Sequence, residues 1–393
     1  MINGQTVDRR SRDRVNPAHA NPAAVARIHR NGRLAGLVPA PAPADTPTGP
    51  PIGTPAATAA TAAIVAALLR RYDAGEPLDV SPVAEGLLNC GYRVLTSTGA
   101  YFLKCYVDRV TAVPAAIAAQ HRATAALRAL GLPTAPPIAA RDGRTMTALR
   151  GRHYALFPWV EGSHRAGHQL TPVQCAGLGT LLGLVHLGLA EVNPPVLQPL
   201  VQPTADPLRT EELIENLLAR ARKHHPHDDL DELAGQRLLE RRGLLAAHGH
   251  RRPRPDAAPP TGWVHGDFHP LNVLYRGGDP AAVLDWDRLG LKPRAEEAVR
   301  AATLFFHHPL TGALDLVRVR RFSRAYRATG CATAEEMAAA VHRVWWERLN
   351  DFWMLQWRYE RGDHRVDPQF PAAAAQIVWW CEEYEQVMDA YAN

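Results

Sequence analysis

The apolar pattern changes period partway along this chain, and that change constrains the fold more than any other feature. Between residues 90 and 157, short apolar runs are separated by turn residues, as in antiparallel strands. The runs 92–95 and 101–107 flank Thr96-Ser97-Thr98-Gly99 and predict a hairpin, and 146–149 and 153–157 predict two further strands. A helix is expected over 114–130, with Ile117, His121, Leu127 and Leu130 at helical spacing and Gly131 and Pro133 ending it. Upstream, Ile64, Leu68 and Tyr72 mark another helix over 58–72. From about Thr171 the period is mostly helical, over 173–189, 210–223, 230–245, 295–306, 314–329, 335–359 and 371–391. A single β episode interrupts it, where 272–275 and 282–284 flank Arg276-Gly277-Gly278-Asp279. The pattern predicts an α+β chain of two lobes with no internal repeat: a small β-rich lobe over 56–158 and a larger helical lobe over 159–393.

The 393 residues suffice for two packed lobes with a cleft between them. Residues 1–55 stand apart. They hold nine of the 33 prolines among Ala, Thr and Gly, and bury too little apolar surface to offset ordering entropy, so disorder is expected. This tail also accounts for most of the net charge of +5, because residues 1–50 carry seven Arg against three Asp. The rest of the chain is nearly neutral and has no electrostatic footprint for nucleic acid. The Ala- and Thr-rich stretch 56–69 is too short and too weakly apolar to span a bilayer, so no membrane partner is expected. Residues 1–14 are charged without an apolar core behind them, unlike a signal peptide. The five cysteines, Cys90, Cys105, Cys175, Cys331 and Cys381, are scattered and form no CxxC pair, which fits a reduced cytoplasmic compartment.

The chemistry concentrates in WVHGDFHPLNVLYRGGDPAAVLDWD, residues 263–287. Asp267, Asn272 and Asp285 follow one another at spacings of five and thirteen, with short strands after Asn272 and before Asp285. Phosphoryl transfer from a nucleotide needs a carboxylate to orient the attacking hydroxyl and accept its proton, and oxygen ligands for a hard cation on the phosphates. Asp267 suits the first task. Asn272 and Asp285 suit the second, because a hairpin brings both to one end of a two-strand platform. Any one of these residues alone reads better as a turn cap; the full set at this spacing does not.

The segment resembles the catalytic loop and metal-binding aspartate of the aminoglycoside phosphotransferase family, which includes choline and homoserine kinases and shares the bilobal protein-kinase-like fold. HGDFHPLN matches the family's HGD-x4-N loop, and Asp285 in LDWD matches its metal-binding aspartate. The likeness spans roughly residues 80–390, with specific motifs only here. It implies that Asp267 is the catalytic base, that Asn272 and Asp285 bind Mg2+, and that ATP or GTP is the co-substrate. It further implies that Lys104 in YFLKCY contacts the nucleotide phosphates. Only three lysines stand against 41 arginines, so a lysine kept within an apolar strand calls for such a role. In ALFPWVEGSH, the resemblance implies a hinge in which Trp159 and Val160 offer backbone groups to the base and Phe157 packs beside it.

Two departures stand out. The helix 114–130 lacks the acidic residue that family members use to pair with the strand lysine, and Gln120 is the nearest stand-in. The phosphate loop is thin, with Gly91 and Gly99 in LLNCGYRVLTSTG but no GxGxxG. In the helical lobe, Trp346, Trp353 and Trp357 share a helical face with Asn350, beside Glu347 and Asp351; they read as core or as part of an acceptor site. His224, His225, His227, His307 and His308 lack metal-ligand spacing. The leading expectation is a phosphotransferase acting on a small-molecule hydroxyl, for instance on an aminoglycoside or other antibiotic. A homoserine- or choline-type metabolite kinase and a non-catalytic nucleotide-binding pseudokinase are the alternatives.

Overall fold

The computed structural model describes residues 55–83, 89–107, 112–196 and 203–393, with side chains from Thr61 onward. The tail expected to be disordered, residues 1–54, lies outside them. The expected hairpin is present: β2 (Cys90–Thr96) and β3 (Ala100–Tyr106) pair antiparallel around the turn at Gly99, placing Gly91 opposite Lys104. They belong to a five-stranded antiparallel sheet in the order β1-β2-β3-β5-β4, with β1 at Pro77–Val83, β4 at Thr147–Leu149 and β5 at Arg152–Pro158. Strand β1 escaped the sequence pattern because PLDVSPV carries two prolines, which a strand tolerates at the sheet edge that β1 occupies. This strand relocates the expected phosphate loop. The connection at the Lys104 end of the sheet is the β1–β2 segment ending at Asn89, whereas Gly99 turns at the opposite end. Residues 84–88 of that connection lie outside the described residues.

Helix α1 (Pro55–Leu69) covers one face of the sheet, where Val65, Leu68 and Tyr72 pack with Val94, Leu103, Tyr154 and Leu156 in a small core. Helix α2 (Pro114–Ala129) starts on a proline at its first turn and faces two ways. Ile117 packs on Tyr106 and Ala155 of the sheet, while Ala123 and Leu127 join the large core of the helical region.

That core is built around α3 (Pro172–Val192), whose Thr171 and Gln174 form a capping box. This helix is long and apolar enough to cross a membrane, yet Cys175, Leu178, Leu182, Val185 and Leu189 are spent inside the core. It lies along α7 (Leu316–Ala328) so closely that a Cβ on Gly179 would sit 2.2 Å from the Phe322 carbonyl oxygen. The helices α4 (Pro207–Lys223), α5 (Asp229–His248), α6 (Arg294–Phe305) and α8 (Ala334–Asn350) add to the core. They are followed by α9 (Trp353–Arg361), α10 (Phe370–Glu382) and α11 (Tyr384–Ala392).

Two expected helices are split. Residues 335–359 break between α8 and α9, where Asp351 turns extended and its carboxylate accepts the Trp353 N–H at 3.1 Å. Trp346 therefore does not share a face with Trp353 and Trp357. It is buried in the core with Trp345 and Trp380, whereas Trp353 and Trp357 are half-buried and meet edge to face at 5.3 Å. Residues 371–391 break at Glu383. The helical stretch also holds more β structure than the expected hairpin of β8 (Val273–Arg276) and β9 (Asp279–Val283). β6 (Ser163–His164) joins that hairpin, and β7 (Thr261–Val264) pairs with β10 (Gly290–Pro293). These strands of two to four residues are too short for alternation to register.

Filling the gap at Gly179 tests the α3–α7 packing. Gly179→Ala forces two helix backbones apart and is expected to destabilise the chain by about 1–3 kcal/mol, read from the midpoint shift in urea unfolding.

Candidate active site

The loop that carries Asp267 leaves β7 at Val264, which is paired with Gly290 of β10. It is fastened from below by one buried carboxylate. Glu297, in the first turn of α6, accepts the His265 N–H at 3.0 Å, the Gly266 N–H, and His186 Nε2–H at 2.8 Å from α3. His186 in turn takes a hydrogen bond at Nδ1 from the Tyr326 hydroxyl, 2.9 Å away on α7. Burial works against the charge of Glu297, but its His186 and backbone partners prevail and hold it below the ordinary carboxylate range. Burial also lowers His186, so the imidazole is neutral and the pair is a charge-assisted hydrogen bond.

Above this anchor the loop is tightly specified. His265 is buried, donates from Nε2 to the Leu284 carbonyl at 2.8 Å and accepts the Asp267 N–H at Nδ1 at 3.2 Å. Its ring lies 4.6 Å from that of Trp286. Gly266 has φ +86°, and a Cβ there would lie 2.1 Å from the Arg288 carbonyl oxygen, so no other residue fits the HGD turn. The Asp267 side chain is about one-third exposed. Its Oδ2 is 3.7 Å from Arg288 Nε and 3.8 Å from His269 Nε2.

The structure brings the other two motif residues to the same place. Asn272 is buried and donates from Nδ2 to the Asp267 carbonyl at 2.8 Å, an orientation that leaves its amide oxygen to serve as a ligand. Its own carbonyl accepts the Leu284 N–H at 2.8 Å, which sets Asp285 next to it. Asp285 sits at φ +53°, rare for a non-glycine residue, with its side chain 45% exposed. One neutral and one anionic oxygen side by side suit a hard divalent cation.

Lys104 reaches this group from β3. Its Nζ is 2.7 Å from Asp285 Oδ1 and 2.7 Å from Asp287 Oδ1. Burial disfavours its charge, yet the two carboxylates outweigh that and raise its pKa. Burial likewise opposes the charge on Asp285, which Lys104 holds below the ordinary range, whereas burial and the neighbouring Asp285 charge push Asp287 up. Gln120, the expected stand-in for the missing helix acid, does not meet the lysine: its Nε2 donates to the Asp287 backbone carbonyl at 3.1 Å. Asp287 was not singled out from the sequence, and neither was Asn89, which donates to Asp287 Oδ2 at 2.6 Å. The D-x-D spacing in LDWD, set against an acid-free α2, was the available signal.

The expected hinge follows β5. The Trp159 N–H is taken by the Ala100 carbonyl at 3.1 Å, so it extends the sheet instead of facing a ligand, and its ring lies 5.1 Å from the Arg93 guanidinium carbon. Val160 and Phe157 are half-buried, and the Phe157 ring meets His121 edge-on at 5.8 Å. Away from the cleft, His224, Asp228 and Asp231 come close enough to hold a metal, but Arg358 fills that space. Its Nη2 lies 2.6 Å from Asp228 and 3.2 Å from Asp231.

Residues 79–332 match the model of the phosphotransferase enzyme family, abbreviated APH. The chain belongs to that family. It is 29% identical over 301 residues to a homoserine kinase of Methylobacillus flagellatus, covering 73% of this chain and 84% of the relative. Among solved structures, the fold is similar to that of spectinomycin phosphotransferase in complex with ADP and spectinomycin, with a TM-score of 0.57 and 15% identity over 84% of this chain and 97% of that one. It is similar also to an amicoumacin kinase in complex with AMP-PNP and Ca2+, with a TM-score of 0.55 and 16% identity over 82% and 94% of the two chains. The small antiparallel sheet over a mainly helical body is thus the protein-kinase-like fold of a small-molecule kinase. Family membership brings with it a nucleoside triphosphate co-substrate and a divalent metal.

The Glu297 anchor gives a test in pH. A carboxylate whose pKa is lowered by folding stabilises the chain above its ordinary pKa and loses that contribution as pH falls through the lowered value. Glu297→Gln should cost about 1–3 kcal/mol at pH 7, and the gap to the parent should narrow as the pH drops below the ordinary glutamate range. Urea unfolding of both proteins across that range measures it.

Proposed function

We propose that this chain is an ATP-dependent O-kinase for a small hydroxyl compound that also bears a carboxylate, of the homoserine type, working in the cytoplasm. The supporting observation is the sign of charge around Asp267. Its carboxylate lies 3.7 Å from the half-exposed Arg288 and 3.8 Å from His269, whose own charge burial disfavours. The acids next to this loop are already engaged: Glu297 by the loop and His186, and Asp285 and Asp287 by Lys104. An aminoglycoside is a polycation and asks for uncommitted carboxylates; a hydroxy-acid finds the Arg288 guanidinium in place. The homoserine kinase relatives agree with this choice.

In this reading Asp267 aligns the acceptor hydroxyl and takes its proton as the γ-phosphoryl group moves in line. The Asn272 amide oxygen and Asp285 hold Mg2+, which neutralises charge on the β- and γ-phosphates. Lys104 steadies the phosphates as a point charge. The Val160 backbone receives the base, with Trp159 as part of the wall and ATP preferred over GTP. Labour divides between the lobes 56–158 and 159–393, the first holding nucleotide and the second the acceptor and base.

The test is turnover of L-homoserine, choline, spectinomycin and kanamycin with ATP and with GTP. Homoserine-type acceptors should be phosphorylated, and turnover of kanamycin alone would overturn the acceptor class. Asp267→Asn should lower kcat by about 10²–10⁴-fold with little change in nucleotide KM. Asp285→Asn should instead be partly relieved by added magnesium, because its defect lies in metal occupancy. The opposite pattern of rescue would exchange the two roles.

A further inference from the structure

A buried ammonium needs a lasting counter-charge, and α2, the helix nearest Lys104, carries no acidic residue. Two carboxylates meet Lys104, one more than its charge requires. They are not equivalent. The Asp285 side chain is 45% exposed and stands beside the Asn272 amide, whereas that of Asp287 is 9% exposed. Asp287 has both oxygens committed within the protein, Oδ1 on Lys104 and Oδ2 on Asn89, while its backbone carbonyl takes Gln120 of α2. Asn89 also accepts the Val107 N–H at 2.9 Å, just beyond the end of β3.

We infer that Asp287, clamped by Asn89 and Gln120, is the positioning residue for Lys104, and that Asp285 is the carboxylate released when a metal–nucleotide complex enters. On release, one negative charge remains on the lysine and the pair stays balanced. The same clamp ties the root of the β1–β2 connection and α2 to the strand–loop that carries Asp285. Lys104 is thus placed from across the cleft.

This rests on the kinase reading, so one readout is chosen that needs no acceptor. The chain has three lysines, and acetylation of Lys104 by an N-hydroxysuccinimide ester is resolved from that of Lys223 and Lys292 by peptide mass. Asp287→Asn should speed Lys104 acetylation and raise the KM for ATP, each by about tenfold, with kcat changing less. Asn89→Ala should move both readouts the same way by a smaller factor, which keeps the test valid if Asp287→Asn melts below the assay temperature. Unchanged acetylation and KM in both single variants would show that Asp285 alone holds the lysine. Relief of the Asp287→Asn defect by added magnesium would make Asp287 a metal ligand and overturn the inference equally. If no acceptor is ever phosphorylated but acetylation responds as expected, the positioning role stands and the kinase reading falls.

Discussion

The Glu297 carboxylate is the fixed point of the cleft. It draws the first turn of α6, the middle of α3 and the backbone of the HGD turn onto two oxygens in a site with almost no solvent. An ionised carboxylate in such a place is tolerated only when its lone pairs are filled by good donors, and here two amides and a neutral imidazole fill them. The turn cannot shift without stranding that charge. Position then passes upward through short links: His265 receives the Asp267 amide and reaches Leu284, and Asn272 holds the Asp267 carbonyl. The proposed base and both proposed metal ligands are therefore placed by backbone and by each other, not by long flexible side chains.

A second constraint spans the cleft. Lys104 comes from the sheet, Asp285 and Asp287 from the segment after β9, and the three charges form one cluster with a net negative charge. A cluster of that sign attracts a divalent cation and is relieved by it. Removing either carboxylate would change how the cluster responds to metal, for opposite reasons: Asp285 is the more exposed, and Asp287 is the more committed. The lysine is compact enough to pass from a carboxylate to a phosphate oxygen without repacking its stem, which an arginine fork is not. That is a physical reason for a lysine to persist at this position in a chain that otherwise uses arginine.

Much of this was legible in the sequence where the signal is contiguous. Asp267, Asn272 and Asp285 lie within nineteen residues of one chain segment, and one hairpin suffices to assemble them. The two-lobed α+β layout followed from the change of period. The partners that hold the site were not legible, because they are distant in sequence and ordinary in type. Glu297 and His186 meet across 111 residues, and Asn89 and Asp287 across 198. No local pattern marks such pairs. The engagement of the Trp159 N–H was not legible for a related reason: whether it faces a ligand or the Ala100 carbonyl depends on one more residue of strand pairing. The break between α8 and α9 was hidden because Asp351-Phe352 contains neither Gly nor Pro, and the interruption comes from a side-chain cap.

Charge pairing in the helical region follows the same economy. Two arginines are paired with acids there, Arg300 with Glu347 and Arg343 with the buried Glu296. Each pairing compensates a negative charge at the cost of two ordered side chains. Beside Asp267 stands Arg288, half-exposed, while on β10 Lys292 is lowered first by burial and then by Arg300, with Glu297 and Glu347 working the other way. In the proposed reading an incoming carboxylate would meet this half-exposed guanidinium, so the acceptor would bring a negative charge to the cation that stands beside the base.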